Sequence, residues 1–326
     1  MTEHETLHCA LNRTLNRPTY SDPLNRLTSS GEQSASANVP RIKTHGTHSH
    51  SHGRAFAVGV VLNLTFVAVE AVYGVLSHSM ALLSDAGHNL GDVLGLLLAW
   101  GAMRLAQWQP TDKHTYGLRK TTILAALLNA LFLLVVTGGL SWEAIRRLAN
   151  PVPVQPGVVI WVASIGIVIN AVTALMFMRG RKGDLNIRGA FLHMTADAVI
   201  SAGVAISGVL IAVTGLLWID PVVSLVIGVT IIAGTWGLLR ESASLILDAV
   251  PEGIDVEAVR RFLREQPNVT DVHHLHIWGL STTDVAMTVH LVLAKQVLDN
   301  DWMARLREQL HDRYGIVHVT IQLEGQ

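Results

Sequence analysis

The chain has 326 residues, of which 50% are hydrophobic and only 15% charged, against about 25% charged in an ordinary soluble domain. Its net charge of −1 sums unlike parts: 9 charged residues lie in 1–53, 20 in 54–240 and 20 in 241–326, giving section charges of +1, +4 and −6. A single soluble globule and a nucleic-acid binder are excluded, the latter because no Lys/Arg stripe exists to neutralise phosphates, and the lone Cys9 excludes an intrachain disulfide framework.

Residues 1–53 are rich in Ser, Thr, Asn and Pro and contain no apolar run, so they read as a disordered leader. The leader ends in a short tract, His45, His48, His50 and His52, able to hold a divalent cation loosely. His4-Glu-Thr-Leu-His8 matches the His-Glu-x-x-His pattern of metalloproteases, but it lies in that leader with no packed helix and no third ligand.

From Arg54 onward apolar segments follow one another. A bilayer core about 30 Å thick takes about 20 helical residues to cross, and six segments meet this, at 54–76, 81–107, 119–146, 156–179, 185–215 and 217–239. Gly91 and Gly95, and Gly203 and Gly208, have the spacing that lets helices approach closely. Arg104, Lys113, Arg119 and Lys120 fall between spans two and three, and Arg179, Arg181, Lys182 and Arg188 between spans four and five. The opposite loops are nearly free of basic residues, so both termini are expected to be cytoplasmic.

After Pro251 the spanning runs give way to short amphipathic pieces in the order αββαβ: a helix at 255–265, strands at 269–279 and 284–293, a helix at 300–314 and a strand at 317–323. The expected fold is therefore an α-helical membrane bundle of six transmembrane helices (54–240) with a small α+β, ferredoxin-like cytosolic domain (241–326). A unit of about 75 residues is small for a stable monomer and is expected to lean on a second copy.

Ionisable side chains inside a membrane cost at least about 2.5 kcal/mol each and mark pathways or sites. In the second span His88 and Asp92 stand four apart; in the fifth, His193 and Asp197 repeat the spacing. One helical turn sets each pair on one face. Two imidazoles and two carboxylates from two packed helices make the four ligands of a tetrahedral Zn²⁺ site, and the carboxylates cancel its charge. Cd²⁺, Co²⁺ and Ni²⁺ also tolerate the set. Asp85 reads as an acid near a helix start, suited to the dipole, and Glu70, Asn63, Asn129 and Asn170 as interhelical hydrogen-bond partners. In the C-terminal section His273, His290, His318 and Glu324 fall on strands that neighbouring positions would bring together, whereas His274, His276 and His311 read as surface or structural.

The paired His-x-x-x-Asp motifs, the six spans, His114-Thr-Tyr-Gly117 and His274-Leu-His-Ile-Trp278 resemble the cation diffusion facilitators, in particular their zinc-transporting branch, over residues 45–326. The resemblance implies a homodimeric metal/proton antiporter of the inner cell membrane, not an enzyme and with no prosthetic group. It would export Zn²⁺ from the cytoplasm through His88, Asp92, His193 and Asp197. A histidine at the first of these positions, where relatives that also take Cd²⁺ well carry an acid, implies a preference for Zn²⁺. The resemblance also implies regulatory metal ligands at His273, His290 and Glu324. Gln322 departs from the pattern, standing where some members have a histidine. In the loop between spans two and three only His114 matches a further metal site of some members, with Thr111 and Leu118 in the other places, so that site is expected to be absent. The alternatives are a membrane-bound metal sensor or receptor, which needs no intramembrane ligands, and an intramembrane metalloenzyme, which needs an open metal position and a general base.

Overall fold

A computed structural model of the chain describes residues 64–178, 185–295 and 300–325. The leader with His45, His48, His50 and His52, the first part of the first expected span with Asn63, and Arg179, Arg181 and Lys182 lie outside the described residues.

Among the described residues six helices come first: α1 (Leu64–Leu76), α2 (Met80–Ala106), α3 (Thr121–Ala149), α4 (Pro156–Met178), α5 (Leu185–Thr214) and α6 (Ile219–Ile246). Four of them, α3, α4, α5 and α6, are long and apolar enough to cross a membrane. The helix α2 has the length, 27 residues, but it carries Asp85, His88, Asp92 and Arg104 along its course. Helix α4 opens on Pro156, a residue whose missing N–H and fixed φ suit a first helical position. It packs along α5, while α3 packs along both α6 and α2. A core of Phe66, Leu82, Val159, Val162, Val204, Ile227 and Ile231 ties α1, α2, α4, α5 and α6 together.

Small residues set some of these approaches. A Cβ on Gly208 would stand 2.9 Å from Ile160 of α4, and one on Gly91 would run into Leu133 of α3. Gly203, expected to serve the same purpose, has nothing within 4 Å of such a Cβ, so that position is not a helix crossing.

The sixth helix is longer than its apolar run. It passes the expected end at residue 239 and continues through Arg240 and Glu241 to Ile246, because charge ends a membrane span without ending a helix. What stops it is Asp248 at φ 58°, with Asp248 N–H bonding Leu245 O and Ala249 N–H bonding Ser244 O, the paired bonds of a left-handed C-terminal cap.

Beyond Pro251 the order is α7 (Val256–Arg264), β1 (Val269–Gly279), β2 (Val285–Leu293), α8 (Asn300–Tyr314) and β3 (Ile316–Gly325). Asp255 caps α7, accepting from Glu257 N–H at 2.9 Å and Ala258 N–H at 3.2 Å. The sheet has the order β1-β2-β3, with β1 antiparallel and β3 parallel to β2. Among the described residues it holds three strands, whereas a ferredoxin-like βαββαβ unit supplies four, so the topology is more simply a three-stranded mixed sheet. Helices α7 and α8 cover one face through Val259, Phe262, Leu263, Leu306 and Leu310, packed on Val272, Ile277, Met287, Val289 and Leu291. The other face carries histidines.

Two loops join the membrane helices to this domain. Arg119 donates to Asp284 at 2.9 Å and lies 3.1 Å from His318 Nε2; Lys120 donates to Asp248 at 2.6 Å; and Thr282 N–H donates to Thr122 Oγ1 at 3.1 Å. The stretch His114 to Gly117 is a tight turn, with Gly117 at φ 73° accepting no side chain because a Cβ would meet Trp108 O at 3.1 Å. Its Tyr116 ring stands edge-on to His318, so this motif serves the junction between membrane helices and sheet.

Candidate metal centre

Helix periodicity alone puts His88 beneath Asp92 on α2 and His193 beneath Asp197 on α5; packing then faces the two pairs toward each other. His88 Nε2 lies 3.6 Å from Asp92 Oδ2 and 3.5 Å from Asp197 Oδ1, and His193 Nε2 lies 3.2 Å from Asp92 Oδ2 and 3.7 Å from Asp197 Oδ2. Ligands about 2.0–2.1 Å from a tetrahedral Zn²⁺ stand about 3.3 Å from one another, and the four His–Asp edges are near that length; His88, Asp92 and Asp197 offer one ligand atom each within a common 4.8 Å, with His193 standing just outside that set. The two rings meet edge-on with centroids 6.1 Å apart, wider than the about 5.2 Å that tetrahedral ligation by both would set, so a loaded site requires the two helices to bring the rings closer. Asp92 Oδ2, Asp197 Oδ1 and His88 Nδ1 are buried with no hydrogen-bond partner. The two carboxylate oxygens adjoin the histidine Nε2 atoms, and buried oxygens in that condition are destabilising unless something fills the space between them; His88 Nδ1 lies on the other edge of its ring.

A second polar group lies deeper. Asn89 donates to Glu70 Oε2 at 3.2 Å and reaches Asp85 Oδ1 at 3.5 Å, while Ser201 Oγ of α5 donates to Asp85 Oδ2 at 3.0 Å. All four residues are essentially inaccessible. Glu70 is thus an interhelical partner between α1 and α2, as its position in a span suggested. Asp85 is not the dipole-complementing acid expected of it: it is the sixth residue of α2, whose first turn holds no acid. That part is taken by Asp220 of α6, which accepts from Ser79 Oγ at 2.5 Å, Met80 N–H at 2.6 Å and Ala81 N–H at 3.3 Å. Sequence reasoning missed Asp220 because the groups it satisfies are 140 residues away in the chain. Asn129 packs against Gly95, and Asn170 is buried with Nδ2 unpartnered.

On the sheet, His273 and His290 are directly paired across β1 and β2, and β3 brings Glu324 beside them. Glu324 Oε1 lies 2.8 Å from His290 Nδ1 and Oε2 lies 3.3 Å from His273 Nε2. The three offer one ligand atom each within a common 4.8 Å. Gln322 turns its amide to Glu324, donating at 3.0 Å, so it braces the carboxylate. His318 is drawn away to Arg119, and His311 to Asp312.

Residues 56–247 match the cation efflux transmembrane domain family and residues 251–326 the cytoplasmic domain of cation efflux proteins. The cation efflux system protein CzcD of Alcaligenes sp. (strain CT14) is 35% identical over 282 residues, covering 85% of this chain and 89% of that protein. The zinc transporter ZitB of Escherichia coli (strain K12) is 36% identical over 293 residues, covering 86% and 93%. The cadmium, cobalt and zinc/H(+)-K(+) antiporter of Bacillus subtilis (strain 168) is 32% identical over 286 residues, covering 86% and 92%. Among solved structures, the metal-bound C-terminal domain of the CzcD transporter from Cuprividus metallidurans is 35% identical, covers 22% of this chain and 99% of that chain, and has a TM-score of 0.21. The resemblance carried by the spaced motifs thus holds over both halves of the protein, and the chain belongs to the cation efflux family, membrane transporters and not enzymes.

Proposed function

We propose that the chain exports Zn²⁺, with Cd²⁺, Co²⁺ and Ni²⁺ as lesser cargo, from the cytoplasm in exchange for protons through His88, Asp92, His193 and Asp197. The observation that carries this is the set of four residues from α2 and α5 with His–Asp distances of 3.2–3.7 Å, two of their facing carboxylate oxygens buried and unpartnered. The relatives' names, zinc transporter and cadmium, cobalt and zinc/H(+)-K(+) antiporter, agree with it. Cargo must leave as well as bind. Imidazole ionises within the physiological range, and a proton on it removes the lone pair and repels the cation. The four groups therefore hold either one metal ion or protons, while the helices rock to open the site to one face and then the other.

The bundle has six spans, α1 and α2 included, with both termini in the cytoplasm and the protein in the inner cell membrane. Arg119 and Lys120 lie against Asp284 and Asp248 of the C-terminal section, which puts the basic loop on that section's side, as the positive-inside rule requires. The C-terminal section pairs two copies into a homodimer and senses cytosolic metal through His273, His290 and Glu324; the tract His45 to His52 collects ions for the pore. The deciding experiment is ⁶⁵Zn uptake into everted vesicles driven by a proton gradient. His88→Ala and Asp197→Ala are expected to abolish it, and collapsing the gradient to stop it. Undiminished flux in either variant refutes the site, and undiminished flux without a gradient refutes the exchange.

A further inference from the structure

Successive residues of a strand point to opposite faces, so His273 and His274 should diverge. They do not. Between the pairs His273↔His290 and His276↔Thr288, two residues of β1 oppose one of β2, which is a bulge, and His274 sits in it at φ 48°. The apolar parity shows its effect: Val272 faces the helices, and so do Leu275 and Ile277, a spacing of three followed by two. The inserted residue restores the register on the core side and turns His274 to the same face as His273. The imidazole centroids of His273, His274 and His290 are 5.3 Å apart for His273–His274, 5.3 Å for His273–His290 and 5.0 Å for His274–His290.

We propose that His274 is the fourth ligand of the sheet cluster, completing with His273, His290 and Glu324 a tetrahedral His₃Glu site for a d-block divalent cation such as Zn²⁺ or Co²⁺. This rests on the reading that the cluster holds a metal. A bound imidazole has its ring centre about 1.1 Å beyond a nitrogen about 2.0–2.1 Å from the ion, so tetrahedral ligation sets ring centres about 5.2 Å apart. All three pairs of ring centres stand at that separation, while the ligand atoms already within a common 4.8 Å are those of His273, His290 and Glu324, so His274 has its ring in place and needs only to rotate it to bring a nitrogen to the ion. His276 lies farther, 6.3 Å from His274, and is left out. The left-handed conformation is unfavourable for most L-residues, His, Asn and Asp adopting it more readily than the rest, and His274 is exposed, so no buried packing compensates it. Strain held at a site without packing to account for it marks a functional demand. His274 also accounts for Gln322: the ligand lacking on β3 is supplied from β1. Three neutral nitrogens and one carboxylate favour borderline metals over Mg²⁺ or Ca²⁺.

The test uses the full chain in detergent with Asp197→Ala present throughout, which disables the intramembrane cluster, and Co²⁺ as the probe, read by visible absorption and by titration calorimetry. Four-coordinate Co²⁺ absorbs intensely and six-coordinate Co²⁺ weakly. His274→Gly and His274→Asn both accept the left-handed backbone, so they remove the imidazole without opposing the fold. Both are expected to weaken the sheet site at least about a hundredfold, beyond the 10–100-fold typical of residues that only orient a ligand, and to lose the intense bands. If either keeps the parent's affinity and spectrum while His273→Ala loses both, His274 is no ligand and the proposal is overturned. If His273→Ala matches the parent, the sheet binds no metal and the underlying reading falls with it.

Discussion

The carboxylate of Asp220 can be tested more sharply than any residue of the metal centre, because what it does is structural and local. Asp220→Ala removes the acceptor of Ser79 O–H, Met80 N–H and Ala81 N–H, all in a fully buried first turn of α2. The Ser79 hydroxyl can rotate to another acceptor; the two backbone groups cannot. An orphaned buried donor costs about 1–3 kcal/mol, and the variant is relieved of desolvating a carboxylate, so the net loss should be about 2–4 kcal/mol. At about 2–4 °C per kcal/mol for a domain of 150–250 residues, the melting temperature should fall by about 5–15 °C. Asp220→Asn keeps one acceptor oxygen and should lose about half as much, and Ser79→Ala, which loses an N-cap, about 1 kcal/mol. The assay is thermal unfolding of detergent-purified protein followed by tryptophan fluorescence, with ⁶⁵Zn flux measured on the same variants, since α2 carries His88 and Asp92. An Asp220→Ala protein melting within about 2 °C of wild type would show that the cap does not hold α2.

Gly166→Ala would put a methyl 2.7 Å from Phe66 Cζ and 3.1 Å from Ser201 Oγ; overpacking of this kind costs about 1–3 kcal/mol, and the lowered melting point should recover when Phe66 is shortened to Leu. Asn89→Ala removes the amide shared by Glu70 and Asp85 and should destabilise by about 1–3 kcal/mol, read by the same unfolding assay, with an unchanged melting point counting against the network. Arg119→Ala and Asp284→Ala should couple by less than about 1 kcal/mol in a double-mutant cycle, because both side chains are about a third exposed, and a larger coupling would mean that this junction carries more of the domain's attachment than its geometry implies.

What could be read in the sequence and what could not divide along the range of the interactions. The pairs His88/Asp92 and His193/Asp197 were legible because a turn of helix is a local fact, and the lengths of α3 to α6 because a bilayer sets them. The C-terminal αββαβ order followed from the change of hydrophobic period. The end of α6 was misjudged because Arg240 and Glu241 end hydrophobicity, whereas the left-handed Asp248 that ends the helix is conspicuous only in the backbone. Gly203 and Gly208 look alike in sequence, yet only Gly208 meets α4. For Asp220 no sequence signal existed. For His274 one did, since the apolar spacing Val272, Leu275, Ile277 already breaks the period of two and betrays an inserted residue.

The two clusters meet the charge problem differently, and on the proposed reading this separates their roles. Asp92 and Asp197 bring two negative charges into the membrane bundle, Asp197 with 2% and Asp92 with 22% of its side chain exposed, beside a His193 that is 42% exposed. A divalent ion neutralises them. On the proposed reading protons take the place of the metal as it leaves. The sheet cluster has one carboxylate, and its His273, His290 and Glu324 side chains are 29–36% exposed, so solvent can stabilise either the residual positive charge of a loaded site or the bare groups of an empty one. Nothing there obliges metal and protons to trade places. A site that tolerates both states can follow the free metal concentration, as a sensor must, whereas the intramembrane set, with two carboxylates to one, is on the proposed reading the one that carries cargo.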